Sequence, residues 1–438
     1  MSKRRQFLTS AGGVVVYQLV DGTPALKVMP GASDQIGVGF IGSGIRGTQL
    51  IEDFKLIPGL KFLAVCDVYD GCLERAKEQL GDSIRTSKDY RTVLDRKDID
   101  AVVIATPDHW HKRMVLDALA AGKHVYIEKP LTWSLAEGPE IIAAERASRK
   151  VLQVGSQQKT SALAAKTREI IQSGALGKVT MVRMSNHRND AQGAWKYEVP
   201  PDASEQTIDW KRFLGEKSSR PFDPRLFFQW RCWWEFSGGV ATDLFVHLLT
   251  WLHEVMDVKA PVAVASHGGL YYWKDGRDVP DVMNSIFEYE EGFVADMYVH
   301  LANSWRAPGY TVMGTQGTLV SESRRLVLYP EPPDSNVQAY GTLQWPKRTR
   351  AQYFESKGWT AEGRPREPRP QPKEAEEITV ERGLSHAQWF IKSIREKAPS
   401  RESATEGHLA AGAAHVANQS YRVGRKLRWN WRTNQVDG

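Results

Sequence analysis

Three cysteines in 438 residues exclude a disulfide framework. Cys66, Cys72 and Cys232 are odd in number, and no two of them stand at metal-ligand spacing. They read as packing residues, with Cys66 ending a strand and Cys72 beginning a helix. No apolar run is long enough to cross a bilayer, so stable membrane insertion is not expected. No block of lysine and arginine stands out, and a net charge of +6 on so long a chain argues for solubility rather than a nucleic-acid arm. No internal repeat is evident. What is present is globular: 41% hydrophobic and 25% charged residues argue against extended disorder, and the length suits two domains. Tryptophan is plentiful, with several in "FQWRCWWEF" (228–236). Flat aromatic faces suit core packing, which is the preferred reading, or stacking on sugar rings.

The N-terminus has its own pattern. "SKRRQFLTS" places Arg4-Arg5 before Gln6, Phe7 and Leu8, and the weakly apolar "AGGVVVYQLV" follows. Basic, then mildly hydrophobic, then polar is the order of a twin-arginine export signal, and residues 1–34 are expected to be such a leader. A basic disordered tail is the plainer alternative. No sharp small-x-small cleavage site precedes Asp34.

From residue 36 short apolar runs alternate with amphipathic segments. Strands are expected at 36–41, 61–66, 101–105, 124–127 and 151–154, with helices around 46–55, 71–80, 110–121 and 134–147. Fully apolar strands separated by helices predict a doubly wound parallel sheet over 35–156. The rhythm then changes. A helix at 161–173, a strand at 178–188 and a long irregular stretch to 236 precede alternating strands at 285–301 and 310–323. Residues 157–402 are therefore expected to form a second, α+β domain with a mostly antiparallel sheet. "GRPREPRPQPKEAEE" (363–377) reads as a surface loop. Two helices close the chain, 384–396 and about 403–424, the last packing back on the first domain before a tail at 425–438.

"VGFIGSGIRGTQL" (38–50) carries the first chemical motif. Gly42, Gly44 and Gly47, around Ser43, Ile45 and Arg46, make a G-x-G-x-x-G between a strand and a helix. In that context glycines permit a tight turn and let N–H groups at a helix N-terminus approach phosphate oxygens. Asp67 ends the second strand, 20 residues past the last glycine, where a carboxylate can accept both adenosine ribose hydroxyls and repel a 2′-phosphate. NAD is thus favoured over NADP. Ligands of such sheets bind outside the strand C-termini, which singles out "ATPDHWH" (105–111) and "IEKPL" (127–131). Lys129 lies between Glu128 and Pro130, and a proline restricts the residue before it to extended conformations. A lone lysine is usually solvated surface, but one at this strand end is placed to reach a ligand.

The set "GSGIRG", "CD" (66–67), "ATPDHWH", "EKP", "GTQGTL" (314–319) and "ANQSYRVGRKL" (417–427) resembles the Gfo/Idh/MocA family, the glucose–fructose oxidoreductase and inositol dehydrogenase superfamily. The resemblance runs from residue 36 to 430. It implies a Rossmann domain followed by a large, mostly antiparallel sheet, action on a sugar, polyol or glycoside, and a homodimer or homotetramer. It also implies cofactor contacts from the glycine turn, Asp67, Thr106, Pro107, His109, His111, Glu128, Lys129 and Gln157. His109 and His111, two apart, would otherwise suggest a metal, and none is expected. The family's Asp-x-x-x-His pattern falls on Asp243 and His247, four apart on one expected helix face. By resemblance, His247 is the base for a hydroxyl, Lys129 stabilises charge on that oxygen, and Asp243 orients the group and joins the substrate's hydroxyl network. Without the resemblance, a core histidine satisfied by a neighbour would be the preferred reading. His187, Arg188, Trp195, Trp230 and Arg231, in the irregular region, form a pool of candidate substrate contacts. Thr250 and Lys159 stand where many relatives have Asp and Arg, departures that bear on the substrate contacts and leave the cofactor site intact.

Export would place the enzyme where no free NAD pool is expected, so the cofactor would have to be held at about nM affinity or tighter. A captive cofactor must be reset within each turnover. Either one substrate is oxidised while another is reduced, or the reaction is redox-neutral. In the second case transient oxidation at sugar C3 acidifies the C2 hydrogen, a glycosidic bond is eliminated and the hydride returns. A nucleotide-holding sugar sensor is a third class, against which an intact Lys129, Asp243 and His247 argue.

Overall fold

The computed structural model describes residues 35–437 apart from 217–218, 306–308, 323–324, 333–336, 367–373 and 382, together with strand segments within 9–28. Those segments pair with one another, separately from the two large sheets. Arg4 and Arg5 lie outside the described residues.

The first sheet holds β1 (Ile36–Ile41), β2 (Leu60–Cys66), β3 (Arg85–Ser87), β4 (Ala101–Ile104), β5 (His124–Glu128) and β6 (Leu152–Gly155) in the order β3-β2-β1-β4-β5-β6. All neighbours are parallel. Helices α1 (Ile45–Lys55), α2 (Asp70–Leu80), α3 (His111–Ala120) and α4 (Gly138–Ser148) connect the strands. Strands β1 and β4 are buried at every residue, which is why they read as continuous apolar runs. On one face Phe40, Phe54, Tyr126 and Phe390 meet edge to face. Strand β3 was not expected, since three half-exposed residues, Arg-Thr-Ser, carry no apolar signal.

The second sheet has ten strands. In chain order they are β7 (Val179–Ser185), β8 (Ala263–Gly269), β9 (Val282–Tyr289), β10 (Phe293–His300), β11 (Gly309–Gly314), β12 (Gly317–Glu322), β13 (Arg325–Pro330), β14 (Glu376–Thr379), β15 (Leu427–Asn430) and β16 (Gln435–Asp437). Their spatial order is β14-β13-β12-β11-β7-β10-β9-β8-β15-β16, antiparallel except for the β7–β10 pair. Strand β10 alternates buried and half-buried residues along its length, so one face lies on the core. Several details differ from expectation. Strand β7 ends at Ser185, and the expected continuation survives only as a bridge between Arg188 and Asn303. Part of the expected Pro-rich loop pairs as edge strand β14, and the expected tail adds β15 and β16. A helix at Lys347–Ser356 was also not anticipated.

Helices α5 (Ala162–Gln172), α6 (Val246–Met256), α7 (His386–Glu396) and α8 (Ala404–Val423) complete the core. Small residues let α8 wedge between the sheets. A Cβ on Gly407 would lie 2.5 Å from Val154 of the first sheet, and one on Gly412 would lie 2.6 Å from Trp429 of the second. Ser403 and Glu406 form a capping box that starts this helix. All three cysteines are free, and burial pushes their thiols up.

Candidate active site

The glycine turn is built by close approach. Gly42 has φ +88°, and a Cβ there would lie 2.7 Å from the Ala105 carbonyl oxygen. A Cβ on Gly47 would lie 2.2 Å from the Gly42 oxygen, so the first turn of α1 packs directly on the strand end. Gly44, the N-cap of α1, is different: a Cβ there would meet nothing within 4 Å. The residues thus leave an open approach to a helix N-terminus, and this fits a dinucleotide's pyrophosphate. Asp67 sits across the turn. Its Oδ2 accepts the Ser43 N–H at 2.7 Å and its Oδ1 accepts the Tyr69 N–H at 3.0 Å. Burial raises its pKa, and the Ser43 and Tyr69 hydrogen bonds oppose that rise.

Arg46 ties this turn to the second loop. Its Nε donates to Glu128 Oε1 at 2.8 Å, and Gln157 Nε2 donates to the same oxygen at 3.0 Å. Three residues from separate parts of the sequence thereby meet at one edge. Thr106 and Pro107 follow β4 on the facing edge. His109 and His111, expected as cofactor contacts, are engaged with backbone carbonyls. Both are buried. His111 Nδ1 lies 2.6 Å from the Pro130 oxygen and Nε2 2.9 Å from the Thr106 oxygen, while His109 Nε2 lies 2.9 Å from the Phe213 oxygen. His109 lies in the turn Asp108–Trp110 and His111 opens α3, and both rings are directed inward, where they staple loops together.

Lys129 directly follows β5 and reaches the second domain. Its Nζ donates to Asp243 Oδ1 at 2.7 Å and to the Asp243 carbonyl at 2.9 Å. Arg231 Nε donates to the same Oδ1 at 3.1 Å, and Trp195 Nε1 donates to Oδ2 at 3.1 Å. Burial alone would push the Asp243 carboxyl up. Lys129, Arg231 and Arg188 outweigh it and hold the group well below the usual carboxylate range. Trp195 makes its contact from φ +63°, a conformation that costs a bulky residue about 1–3 kcal/mol. Arg231 also lies over the Trp230 ring at 4.2 Å.

Asp243 does not orient His247 as the sequence spacing suggested. Residues Ala241–Phe245 form a π turn that runs into α6. Its wider i→i+5 pitch takes Asp243 off the α-helical i,i+4 line, and the carboxylate goes to Lys129 instead. His247 keeps a buried Nδ1 with no hydrogen-bond partner among the described residues. Burial, then the nearby Lys129, pulls its pKa down to about 3, so the ring is neutral at physiological pH. Asp108 was overlooked in the sequence, although it stands inside "ATPDHWH". It is 3% exposed, and burial pushes its carboxyl up to about 7 against the pull of Lys129 and Arg231.

The remaining candidates separate. Arg188 is fixed through its backbone to His300 and Asn303, and its charge acts on Asp243 and His247. His187 instead packs its ring on Tyr298, 5.0 Å away. Lys159 pairs with Glu406 at 2.6 Å and Glu254 at 3.6 Å, tying the β6 loop to α8 and α6. Thr250 is buried and donates to the Val246 carbonyl at 2.7 Å.

Comparison with known proteins places this geometry. Residues 36–156 match a family model described as the oxidoreductase family, NAD-binding Rossmann fold, and residues 217–320 match the GFO/IDH/MocA C-terminal domain. An alpha-N-acetylgalactosaminidase of Shewanella oneidensis is 33% identical over 175 residues, covering 34% of this chain and 38% of that protein. A glycosyl hydrolase family 109 protein of Shewanella putrefaciens matches with the same identity and coverage. The match therefore spans well under half of these curated relatives. Levoglucosan dehydrogenase in complex with NADH and levoglucosan superposes with a TM-score of 0.65 at 17% identity, over 90% of this chain and 99% of that one. An enzyme from gentamicin A biosynthesis in complex with NAD gives 0.63 at 18%, over 91% and 97%. At such identities these two likenesses speak to the fold alone. The family models fall on both domains, one on the parallel sheet and its glycine turn and the other on the region that supplies Asp243 and His247, and the chain belongs to the Gfo/Idh/MocA oxidoreductase family.

Proposed function

We propose that this protein is an NAD-dependent oxidoreductase that moves a hydride between the cofactor and a carbon of a sugar, polyol or glycoside. The observation that carries this reading is the Lys129–Asp243–Arg231 cluster beside a neutral His247, at the strand ends next to the glycine turn. The turn around Gly44, Asp67 and the Arg46–Glu128–Gln157 set would hold NAD, which supplies the hydride acceptor. Neutral His247 can take a hydroxyl proton. The Lys129 ammonium, held by Asp243, is placed to stabilise negative charge on the same oxygen. Asp243 acts by fixing Lys129, since its oxygens are already engaged.

A second reading is favoured by the curated relatives, which are named as glycosidases. In it the hydride would leave C3 only transiently: loss of the C2 proton expels the aglycone, water adds in its place, and the hydride returns to C3, so no reduced cofactor accumulates. One experiment separates the two. Glycosides and free sugars are incubated with the protein in D₂O, and net NADH and deuterium at C2 are followed. Net NADH, or oxidation of one sugar matched by reduction of another, supports the oxidoreductase, and C2 deuterium with aglycone release but no net redox change supports the glycosidase. If neither appears in a Lys129-dependent manner, both readings fail.

The leader-like N-terminus supports export with the cofactor already bound, and the protein would then work as a homodimer or homotetramer outside the cytoplasm. Among the described residues no helix is long and apolar enough to cross a membrane. Denaturing the purified protein and finding near-stoichiometric NAD or NADH by mass spectrometry would support a captive cofactor. An empty protein would return it to the class of ordinary dehydrogenases that exchange cofactor freely.

A further inference from the structure

The loops that follow β2 and β4 form the two lips of the groove at its adenosine end, with Asp67 on one and Thr106–Pro107 on the other. A single segment of the second domain, residues 200–215, is bonded to both lips. On the β2 side it makes an isolated antiparallel bridge between Tyr69 and Ile208. The Asp70 N–H donates to the Thr207 carbonyl at 3.0 Å, and the Asp209 N–H donates to the Val68 carbonyl at 2.8 Å. Side chains add to this. Tyr69 Oη donates to Asp202 Oδ1 at 2.7 Å, and Lys88 Nζ donates to the Thr207 carbonyl at 3.2 Å while pairing with Asp70 at 2.9 Å. On the β4 side, Trp110 Nε1 donates to the Phe213 carbonyl at 2.8 Å, and His109 meets the same oxygen. A Cβ on Gly215, at φ +68°, would lie 2.9 Å from the Trp110 ring, so the segment lies flat on that lip.

We propose that residues 200–215 are a latch across the adenosine end of the groove, and that its opening sets the rate at which NAD enters and leaves. The inference rests on the NAD-binding reading above and adds the gate to it. These contacts are made by the protein alone. Binding and release therefore pass through the same opening, and a weaker latch speeds both. A wall that merely touched the nucleotide would change release and leave entry alone.

The test measures both rates with a fluorescent ethenoadenine analogue of NAD, chased by excess NAD, on the full chain. Tyr69→Phe removes the bond to Asp202 and keeps the ring, and Lys88→Ala removes the clamp on the Thr207 carbonyl. Each is expected to raise association and release together by about tenfold, the loss of one bond to a charged group. Arg183→Gln, at a surface ion pair on β7, should change neither rate. Asp202→Asn probes the same bond from an exposed side chain, so its result stands even if a Tyr69 variant folds poorly. Unchanged rates in all three latch variants, or faster release with unchanged association, would overturn the latch. If the wild-type protein itself releases NAD within seconds, the captive-cofactor reading falls, and the latch stands or falls on the same ratios between variant and wild type.

Discussion

Replacing Asp243 by Asn tests the centre of the site most directly. The carboxylate is about nine-tenths buried and receives Lys129, Arg231 and Trp195. Asn keeps the size and leaves the Trp195 acceptor in place, but it leaves two cations facing each other without a counter-charge. Breaking a buried pair in this way costs about 3–5 kcal/mol. The expected loss at pH 7 is at least the lower figure, because both cations are stranded. The pH dependence gives a second handle. The folded carboxyl is held below its ordinary value, so its stabilisation is complete above the unfolded pKa, near pH 4, and is lost as the pH falls toward the folded value. Asn does not titrate, so the gap between wild type and variant should narrow by about 1 kcal/mol at pH 3 relative to pH 7. Urea unfolding of both proteins at the two pH values reads this difference, and all other acids cancel in it. A gap below about 1 kcal/mol at pH 7, or one that widens in acid, would refute the account of Asp243 as the shared partner of two buried cations.

Further outcomes follow from the same geometry. Lys129→Ala should lower turnover by about 10² or more while leaving equilibrium NAD binding within a few-fold, and a loss under threefold would remove Lys129 from the chemistry. Gly44→Ala should leave the melting temperature unchanged, since its Cβ meets nothing, yet raise the NAD dissociation constant by about tenfold, measured by titration. A melting-temperature drop with unchanged affinity would mean that the open side of Gly44 does not face the cofactor. Asp108→Asn should abolish any titration near pH 7 in the rate profile. It should also flatten the stability curve, because a carboxyl raised to about 7 stabilises the fold below pH 4 and progressively less as the pH rises to that value. A profile that keeps its inflection would assign it to another group.

The parts legible in the sequence are those where burial leaves a pattern. Strands β1 and β4 are buried throughout and read as unbroken apolar runs, and the β9–β10 hairpin alternates around its "EEG" turn. Strand β14 has mostly exposed residues, Glu-Glu-Ile-Thr, and pairs with β13 at the edge of the sheet with Ile378 packed on the core, so little in its composition marks it. The glycine turn and Asp67 were readable because their spacing is short. The Lys129–Asp243 pair joins residues 114 positions apart, and only the family resemblance suggested that they meet. Its geometry was misread in one respect: i,i+4 spacing assumes an α-helix, and the π turn gives Asp243 to Lys129 rather than to His247. The histidines of "ATPDHWH" drew notice as cofactor contacts, while Asp108, buried beside them and under electrostatic tension, was passed over.

The placement of α7 and α8 has a consequence for inheritance and engineering. Ala387, Phe390 and Ile391 belong to the same apolar cluster as Phe40, Phe54 and Tyr126, and Ala404 belongs with Ile104 and Leu152. The nucleotide-binding half is thus encoded in two stretches separated by most of the second sheet, eight of whose ten strands lie between them. A chimera that exchanges only residues 36–156 would carry a sheet with part of its interior left behind in the other parent. Grafting cofactor preference from a relative therefore requires residues 385–423 to travel with the glycine turn. During synthesis, the same half cannot close its core until nearly the entire chain has left the ribosome.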